Sequence, residues 1–362
     1  LKAIILAGGF GTRLRPLSCT RPKLLFPLAN QPILDWTVKA LAENGVDTVV
    51  LAVNYMAEAI VRHMGASKYG VSIIYSREER PLGTGGPIKR AEHILGRDEP
   101  FLAMNGDVVC EVDYRRMVEY HTDREAVATV ALVEVERPER FGVAQLDEED
   151  RIVRFVEKPK PEAAPSRLVN AGIYALSPEI FDYIPPGRPV SIEREVFPRL
   201  AERGLLYGYR VSGPWIDIGI PEDYLKANAI MLDRVAEKPV IGEVSEVEAE
   251  VVAPTVLGAA VKVGRDSVVG PYVSVGDGVV IGRGCRIENS VIFPGAFIGD
   301  FTSIRNAIVG ENAVLGRWVK VEGTSIIGDY VNVSDNVTIT SGVSICPSKS
   351  VSESILKPGR VL

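Results

Sequence analysis

Near the start of the chain, Leu6-Ala-Gly-Gly-Phe-Gly-Thr-Arg-Leu-Arg-Pro16 and the closely following Arg21-Pro-Lys23 combine glycines with fixed cations. Glycine at a strand end lets backbone N–H groups approach an anion with no Cβ in the way. Arg13, Arg15 and Lys23 add side-chain charge, so the chemistry within reach is the binding of phosphate oxygens. Taken alone, Gly-x-Gly is equally a tight turn, and Arg and Lys are equally surface charge. No Gly-Lys-Ser/Thr closes the loop, which excludes a P-loop, and Arg13 and Leu14 stand where the third glycine of a dinucleotide fingerprint belongs. Two carboxylates are candidates to work with these cations. Asp107 follows the apolar run Phe101-Leu-Ala-Met-Asn105 and a glycine, a position that a plain turn also explains. Asp217 lies between Trp215, Ile216 and Ile218, where a carboxylate is costly to bury without a cation.

Such residues need elements to hold them. Lys2–Leu6 reads as a buried parallel strand, and Asp47–Val53, Val71–Tyr75 and Pro100–Met104 read as strands as well. Helices are predicted over Pro32–Glu43, Gly85–Leu95 and Asp113–Tyr120. This alternation implies a largely parallel sheet with helices on both faces and ligands at the carboxyl ends of the strands. The glycine loop, Gly83 and Asp107 all fall at or just beyond such ends. Strands around Val127–Val135, Val143–Leu146 and Leu168–Ala175 extend the sheet and frame a second subsite, and Pro221–Val235 reads as a closing helix. The acidic run Glu243–Glu250 marks a connector after it.

From about residue 252 the period changes. Gly258, Gly264, Gly270, Gly276 and Gly282 recur every six residues, each preceded by an aliphatic: Leu257, Val263, Val269, Val275 and Ile281. The phase slips near Pro294–Gly310, and the apolar column continues through Leu315, Val321, Ile327, Val333 and Ile339. One aliphatic per six residues is the signature of a hexapeptide β-helix, with three short strands to a coil and room for about five coils. A β-sandwich would not keep glycine in this register. The expected division is therefore a domain over 1–235, a connector over 236–251 and a β-helix over 252–362.

Composition narrows the class. A chain of 362 residues calls for two domains, and 46% hydrophobic with 24% charged residues is ordinary for a globular protein. The net charge of −6 argues against nucleic acid as a partner. No apolar run approaches a membrane span and no signal peptide precedes the first strand, so no membrane association and a cytoplasmic location are expected. Cys19, Cys110, Cys285 and Cys346 lie far apart, which indicates neither a zinc site nor a disulfide framework.

The glycine–cation motif resembles the signature of the sugar-phosphate nucleotidylyltransferases, whose pattern G-G-x-G-T-R-L-x-P followed by P-K stands here as Gly8 to Pro16 and Pro22-Lys23. Asn105-Gly-Asp107, Glu157-Lys-Pro159, Asn170-Ala-Gly-Ile-Tyr174 and Trp215-Ile-Asp-Ile-Gly219 are similar to the remaining site motifs of that family, in the same order. The resemblance covers essentially the whole chain. It implies an α/β fold, a Rossmann-like nucleotidyltransferase sheet followed by a left-handed parallel β-helix. It also implies transfer of a nucleotidyl group from a nucleoside triphosphate to a sugar 1-phosphate. The attacking phosphate oxygen is already an anion, so catalysis reduces to positioning and electrostatics, with no nucleophilic side chain required.

By that resemblance Asp107 and Asp217 are ligands of Mg2+, Arg13 faces the departing pyrophosphate, and Lys23 lies close to the α-phosphate. Leu6, Ala7, Gly8, Gly9, Gly11 and Thr12 line the nucleotide, and Gly83 within Pro81-Leu-Gly-Thr-Gly-Gly86 lies against the base. Lys158 meets the phosphate of the sugar 1-phosphate, Glu157 the sugar hydroxyls, and Gly142 and Asn170 complete the sugar side. Glu78 is a further base-side candidate, and Arg15 reads as a surface neighbour.

Ser191-Ile-Glu-Arg-Glu-Val-Phe-Pro198 and Trp215-Ile-Asp-Ile-Gly-Ile-Pro-Glu-Asp-Tyr-Leu225 resemble the mannose-1-phosphate guanylyltransferase branch, which the appended hexapeptide repeats also fit, implying GTP and mannose 1-phosphate. UTP or dTTP with glucose 1-phosphate is the competing pair. A non-catalytic regulatory role is the rival from another class, and such relatives usually lose parts of motifs that are all present here. Acyl transfer by the β-helix would call for a histidine base, whereas His63, His93 and His121 all lie in helical segments of the first half. The β-helix is expected to mediate a homo-oligomer, a dimer or tetramer, with Phe293, Phe297, Phe301 and Trp318 on its flank and the tail from Cys346 to Leu362 at its end.

Overall fold

A computed structural model describes residues 1–361, so Leu362 of the expected β-helix domain and tail lies outside the described residues. The chain forms two compact units: Leu1–Gly9 with Leu34–Asp217, and Phe10–Ile33 with the chain from Ile218 onward.

The first unit is built on a ten-stranded mixed sheet. Lys2–Ala7 lies between Thr48–Val53 and Phe101–Asn105 and is parallel to both; Val71–Arg77 joins beyond Thr48–Val53. Val49, Val50, Leu51, Ala52 and Val53 are all fully buried, as a β-branched run flanked by helices on a parallel sheet requires. On the far side of Phe101–Asn105 the sheet turns antiparallel through Leu168–Leu176, Gly142–Leu146 and Ile152–Glu157. Ala128–Glu134 also pairs with Leu168–Leu176 and carries Leu206–Arg210 parallel to it. The helix expected over Gly85–Leu95 is two, Gly85–Arg90 and Glu92–Leu95, separated at Ala91, whose φ of −83° and ψ of 2° leave the helical region.

His121, near the end of the helix Tyr114–Asp123, is fully buried between the Thr129 and Ser177 hydroxyls at 2.8 and 2.9 Å, and burial lowers its pKa to about 4. It is a packed neutral histidine. His63 instead pairs with Asp35 at 2.9 Å, and His93 is exposed. All three lie in helices of the first unit, as expected.

In the second unit, Pro221–Val235 is a helix with proline at its first position, where the missing N–H costs nothing. Three parallel sheets of eight, seven and six strands follow, each strand two or three residues long, the stacked arrangement of a left-handed β-helix. The smallest sheet sets six complete coils where about five were expected. The difference lies in the acidic run. Val240–Ile241, Glu246–Val247 and Glu250–Val251 supply the first strand of each sheet, so most of the expected connector is the first coil. Its glutamates point outward while Val247 and Val251 pack on the core.

The phase slip also has a physical origin. The inward column steps by six residues from Leu257 to Ile287, by five to Ile292, by six through Ile298 to Ile304, by five to Val309, and by six thereafter to Val351. Val273 accordingly pairs with Ser290 and Ile308 with Ile326, coils of seventeen and eighteen residues. The shortened corners stack on one another through Asn289 Nδ2, which donates to Asn306 Oδ1 at 2.7 Å, both residues having positive φ. Two successive deletions at one edge keep the column facing inward.

Candidate active site

The strand ends of the first unit gather one set of candidate residues. Leu6 pairs with Ala52 on one side and Asn105 on the other, and its carbonyl accepts the Gly106 N–H at 3.1 Å. Gly8 comes off this strand against Asn54 and Glu78: a Cβ built there would stand 3.6 Å from Glu78 Oε1. Gly9 has open space around it. Burial raises the pKa of Glu78, the Leu82 N–H donating to Oε2 at 3.1 Å partly offsets this, and Arg90 offsets it further.

Gly83 has φ +75°, and a Cβ there would collide with the Val190 carbonyl. Val190 stitches the loop down on both sides of Gly83, donating to the Leu82 carbonyl at 2.9 Å and accepting from Gly85 N–H at 2.8 Å. The loop is thus held by Val190 at a point where only glycine fits.

Asp107 and Asp217 come from distant segments. Trp215–Asp217 pairs antiparallel with Val108–Cys110, and the register sets Asp217 opposite Val108, the residue after Asp107. Trp215 fixes this ladder, its indole N–H donating to the Ala171 carbonyl at 3.1 Å and its ring meeting Phe141 edge-on at 4.9 Å. Both aspartates are half-buried. Two carboxylates at neighbouring positions suit magnesium, which keeps waters and shares phosphate oxygens. Among the described residues no group of three or more His, Cys, Asp or Glu could hold a metal ion. The donor set fits an ion that arrives with its nucleotide.

The third group lies on the antiparallel strands. Gly142 is the register partner of Glu157, and a Cβ on it would come within 2.6 Å of the Phe155 ring and 2.7 Å of Glu157 Oε2. Lys158 has φ +49°, its N–H bonds the Phe141 carbonyl at 3.0 Å, and its side chain is 61% exposed. Asn170 bonds the Tyr174 hydroxyl at 2.9 Å and accepts Gly172 N–H at 2.8 Å, across a bulge between Asn170 and Tyr174. Burial raises the pKa of Glu157, nearby Glu193 raises it further, and Lys158 opposes both.

Glu193 was not a candidate from the sequence. It is buried, on a π-helical turn over Ile192–Val196, and accepts from Thr84 Oγ1 at 2.6 Å, Ser191 Oγ at 2.7 Å and Tyr174 at 3.3 Å. It therefore ties the loop bearing Gly83 and Thr84 to the strand bearing Asn170. The signal was the Ser191–Pro198 motif, read for its branch and not for its chemistry.

The second unit carries the remaining candidates. Gly11 has φ +59°, and its carbonyl accepts Ser18 Oγ at 2.8 Å; a Cβ on Gly11 would sit 3.5 Å from Lys23 Cβ. Thr12–Leu14, Leu17–Cys19 and Lys23–Leu25 are three short 3-10 turns, anchored by fully buried Leu14 and Leu17. The Arg13 guanidinium lies along Gly219, where a Cβ would stand 3.1 Å from Nη1. Gly219 is two residues from Asp217 in sequence, so the last glycine of Trp-Ile-Asp-Ile-Gly is the bed of Arg13. Thr12 and Arg15 are exposed.

The nucleotidyl transferase family model matches residues 2–234. The chain belongs to that family. The model for the GMPPB C-terminal domain matches residues 251–361. A probable mannose-1-phosphate guanylyltransferase of Oryza sativa subsp. japonica is 37% identical, with 100% of both chains covered. A mannose-1-phosphate guanyltransferase of Pichia angusta is 40% identical over 99% of each. Among solved structures, a putative glucose-1-phosphate thymidylyltransferase from Bacillus anthracis superposes with a TM-score of 0.58 at 29% identity, covering 63% of this chain and 94% of that one. No helix among the described residues is long and apolar enough to cross a membrane.

Proposed function

We propose that the chain transfers a guanylyl group from GTP to mannose 1-phosphate, forming GDP-mannose and pyrophosphate. The observation that carries this reading is the full-length match, at 37% and 40% identity, to proteins named for that reaction. The phosphate-binding and carboxylate motifs are all intact, which favours a catalyst over a regulatory subunit. Uridylyl or thymidylyl transfer to glucose 1-phosphate is the less favoured alternative.

In the transfer, a phosphate oxygen of mannose 1-phosphate attacks the α-phosphorus of GTP. The bond from that phosphorus to the oxygen bridging the β-phosphate breaks, and pyrophosphate leaves with the electron pair. No proton need be removed from the nucleophile. Leu6, Ala7, Gly8, Gly9, Gly11 and Thr12 line the nucleotide, with Gly83 against the base. Lys23 holds the α-phosphate and Arg13 the departing pyrophosphate, so negative charge meets cations already in place. Lys158 orients the sugar phosphate, while Glu157, Asn170 and the Gly142 backbone receive the sugar. Asp107 and Asp217 would hold Mg2+, which when bound offsets phosphate charge. The working form is a homo-oligomer in the cytoplasm.

A panel of GTP, ATP, UTP and dTTP against mannose, glucose and N-acetylglucosamine 1-phosphates, read by pyrophosphate release with and without chelator, tests this. GTP with mannose 1-phosphate should give the highest kcat/KM, and excess chelator should abolish it. Preference for another pair would refute the substrate assignment; undiminished turnover in chelator would refute the metal assignment.

A further inference from the structure

The segment bearing Arg13 and Lys23 belongs to the same compact unit as the β-helix. Its ties to the β-helix include one corner carboxylate. At four corners an aspartate Oδ1 accepts a backbone N–H from the preceding coil: Asp277 from Ala259, Asp300 from Arg283, Asp329 from Glu311 and Asp335 from Arg317. Asp300 and Asp335 turn their second oxygen to that same arginine, at 3.5 and 2.9 Å. Asp329 turns its own to the glycine-loop segment. Its Oδ2 accepts from Thr20 Oγ1 at 2.6 Å and from Arg21 Nη2 at 2.9 Å, with the Asp329 side chain only 2% exposed.

Arg21 also donates to Glu311, and its guanidinium lies 4.8 Å over the Phe293 ring. Burial disfavours the charge on Arg21, but Asp329 and Glu311 outweigh it and raise the pKa. The next residue is Pro22, at φ −66°, so the backbone between Arg21 and Lys23 has little freedom. Beyond Lys23 the chain is fixed again. Phe26 N–H bonds the Lys23 carbonyl at 2.9 Å, and the buried Phe26 ring packs between Tyr224 and Phe293, at 5.6 and 6.2 Å. Asn30 Nδ2 then donates to the Val275 carbonyl at 2.6 Å.

We propose that Asp329 and Glu311 are positioning residues of the transfer reaction, fixing the place of Lys23 through Arg21 and Pro22. The β-helix is then part of the phosphate-binding apparatus and not only an assembly element. This rests on the reading of Lys23 as an α-phosphate ligand. A purely architectural corner would affect stability alone; a positioning corner affects rate, and only while Lys23 is present.

The test uses the full chain with GTP, mannose 1-phosphate and Mg2+, folding being checked by circular dichroism. Asp329→Asn keeps an oxygen for the Glu311 N–H and removes the charge facing Arg21; Asp277→Asn is the control corner. Asp329→Asn should lower kcat about tenfold or more while KM for mannose 1-phosphate changes less than about twofold. It should cost nothing further in a Lys23→Ala background. Turnover as in Asp277→Asn, or the same fold loss in both backgrounds, would overturn the proposal. Should Asp329→Asn fail to fold, Arg21→Met makes the same comparison from the loop side, with Arg21→Lys expected to recover part of the rate. Wild-type turnover in folded Arg21→Met would then overturn it. Lys23→Ala turning over normally would bring down the phosphate-site reading and this proposal with it. A slow Lys23→Ala beside an undisturbed Asp329→Asn defeats the proposal alone.

Discussion

Glu157 is held where a charge is expensive. Its side chain is 16% exposed, and burial together with Glu193 raises its pKa above the usual carboxylate value. The unfolded chain therefore gives up this proton at a lower pH than the folded one, and in that window the folded state binds more protons. Stability must fall as pH rises through the raised value, and the penalty is absent below the ordinary carboxylate range. Glu157→Gln should thus unfold at a higher temperature than the parent at pH 7, the gap closing as pH falls towards the unfolded carboxylate value. Calorimetry at several pH values checks this, and an equal gap at all pH values would contradict it. On the proposed reading of Glu157 as a sugar-side residue, this cost is stability given up for function. The sequence displayed Glu157 through its Lys-Pro neighbours, but not Glu193, because burial and three hydroxyl donors are set by folding.

Among the elements, the loop proposed to lie against the base is tightly constrained at one glycine. Gly83 has φ +75° and no space for a Cβ beside the Val190 carbonyl, so Gly83→Ala must move the loop or the strand-like partner that holds it. A left-handed conformation alone costs a non-glycine residue about 1–2 kcal/mol. Gly83→Ala should raise KM for the nucleotide about tenfold or more, and by a larger factor than KM for the sugar phosphate; steady-state kinetics with each substrate varied decides. Unchanged nucleotide KM would remove Gly83 from the base site. That a loop leads into a helix here was legible because Pro81-Leu-Gly-Thr-Gly-Gly86 clusters turn residues. The β-helix was legible from a period of six with one inward aliphatic. Its first coil was not, because Glu243–Glu250 presents outward charge without the glycine register. The two five-residue steps showed only as a slip of phase, since a deletion at a corner leaves no residue to mark it. Nor could the pattern disclose that Arg21 reaches Asp329, a contact between residues 308 apart in sequence.

At the scale of the molecule, the proposed self-assembly rests on what the β-helix leaves exposed. Phe293, expected on its flank, is fully buried, its ring against Phe26 and Arg21. The other three are outward-facing. Phe297 is 44% exposed beside its register partner Val314, and Trp318, 56% exposed, stacks on Phe301 at 4.4 Å. These residues form two apolar pairs on neighbouring coils, with Tyr330 a further exposed aromatic. The end strands are poorer contacts: Val240–Ile241 and Gly359–Val361 are two and three residues long, and short edges are weak templates for pairing. A second copy of the chain covering these pairs removes this surface from water, which stabilises association by about 25 cal/mol per Å² buried, before the entropy cost of association. Light scattering of the full chain at micromolar concentration should therefore give twice the chain mass, or a higher even multiple. Trp318→Asp combined with Phe297→Asp should return it to the single-chain mass while leaving the melting temperature of the inner column nearly unchanged, because neither side chain contributes to that core. A parent protein already at single-chain mass would refute the assembly role, and an oligomer indifferent to both substitutions would move the interface elsewhere on the chain.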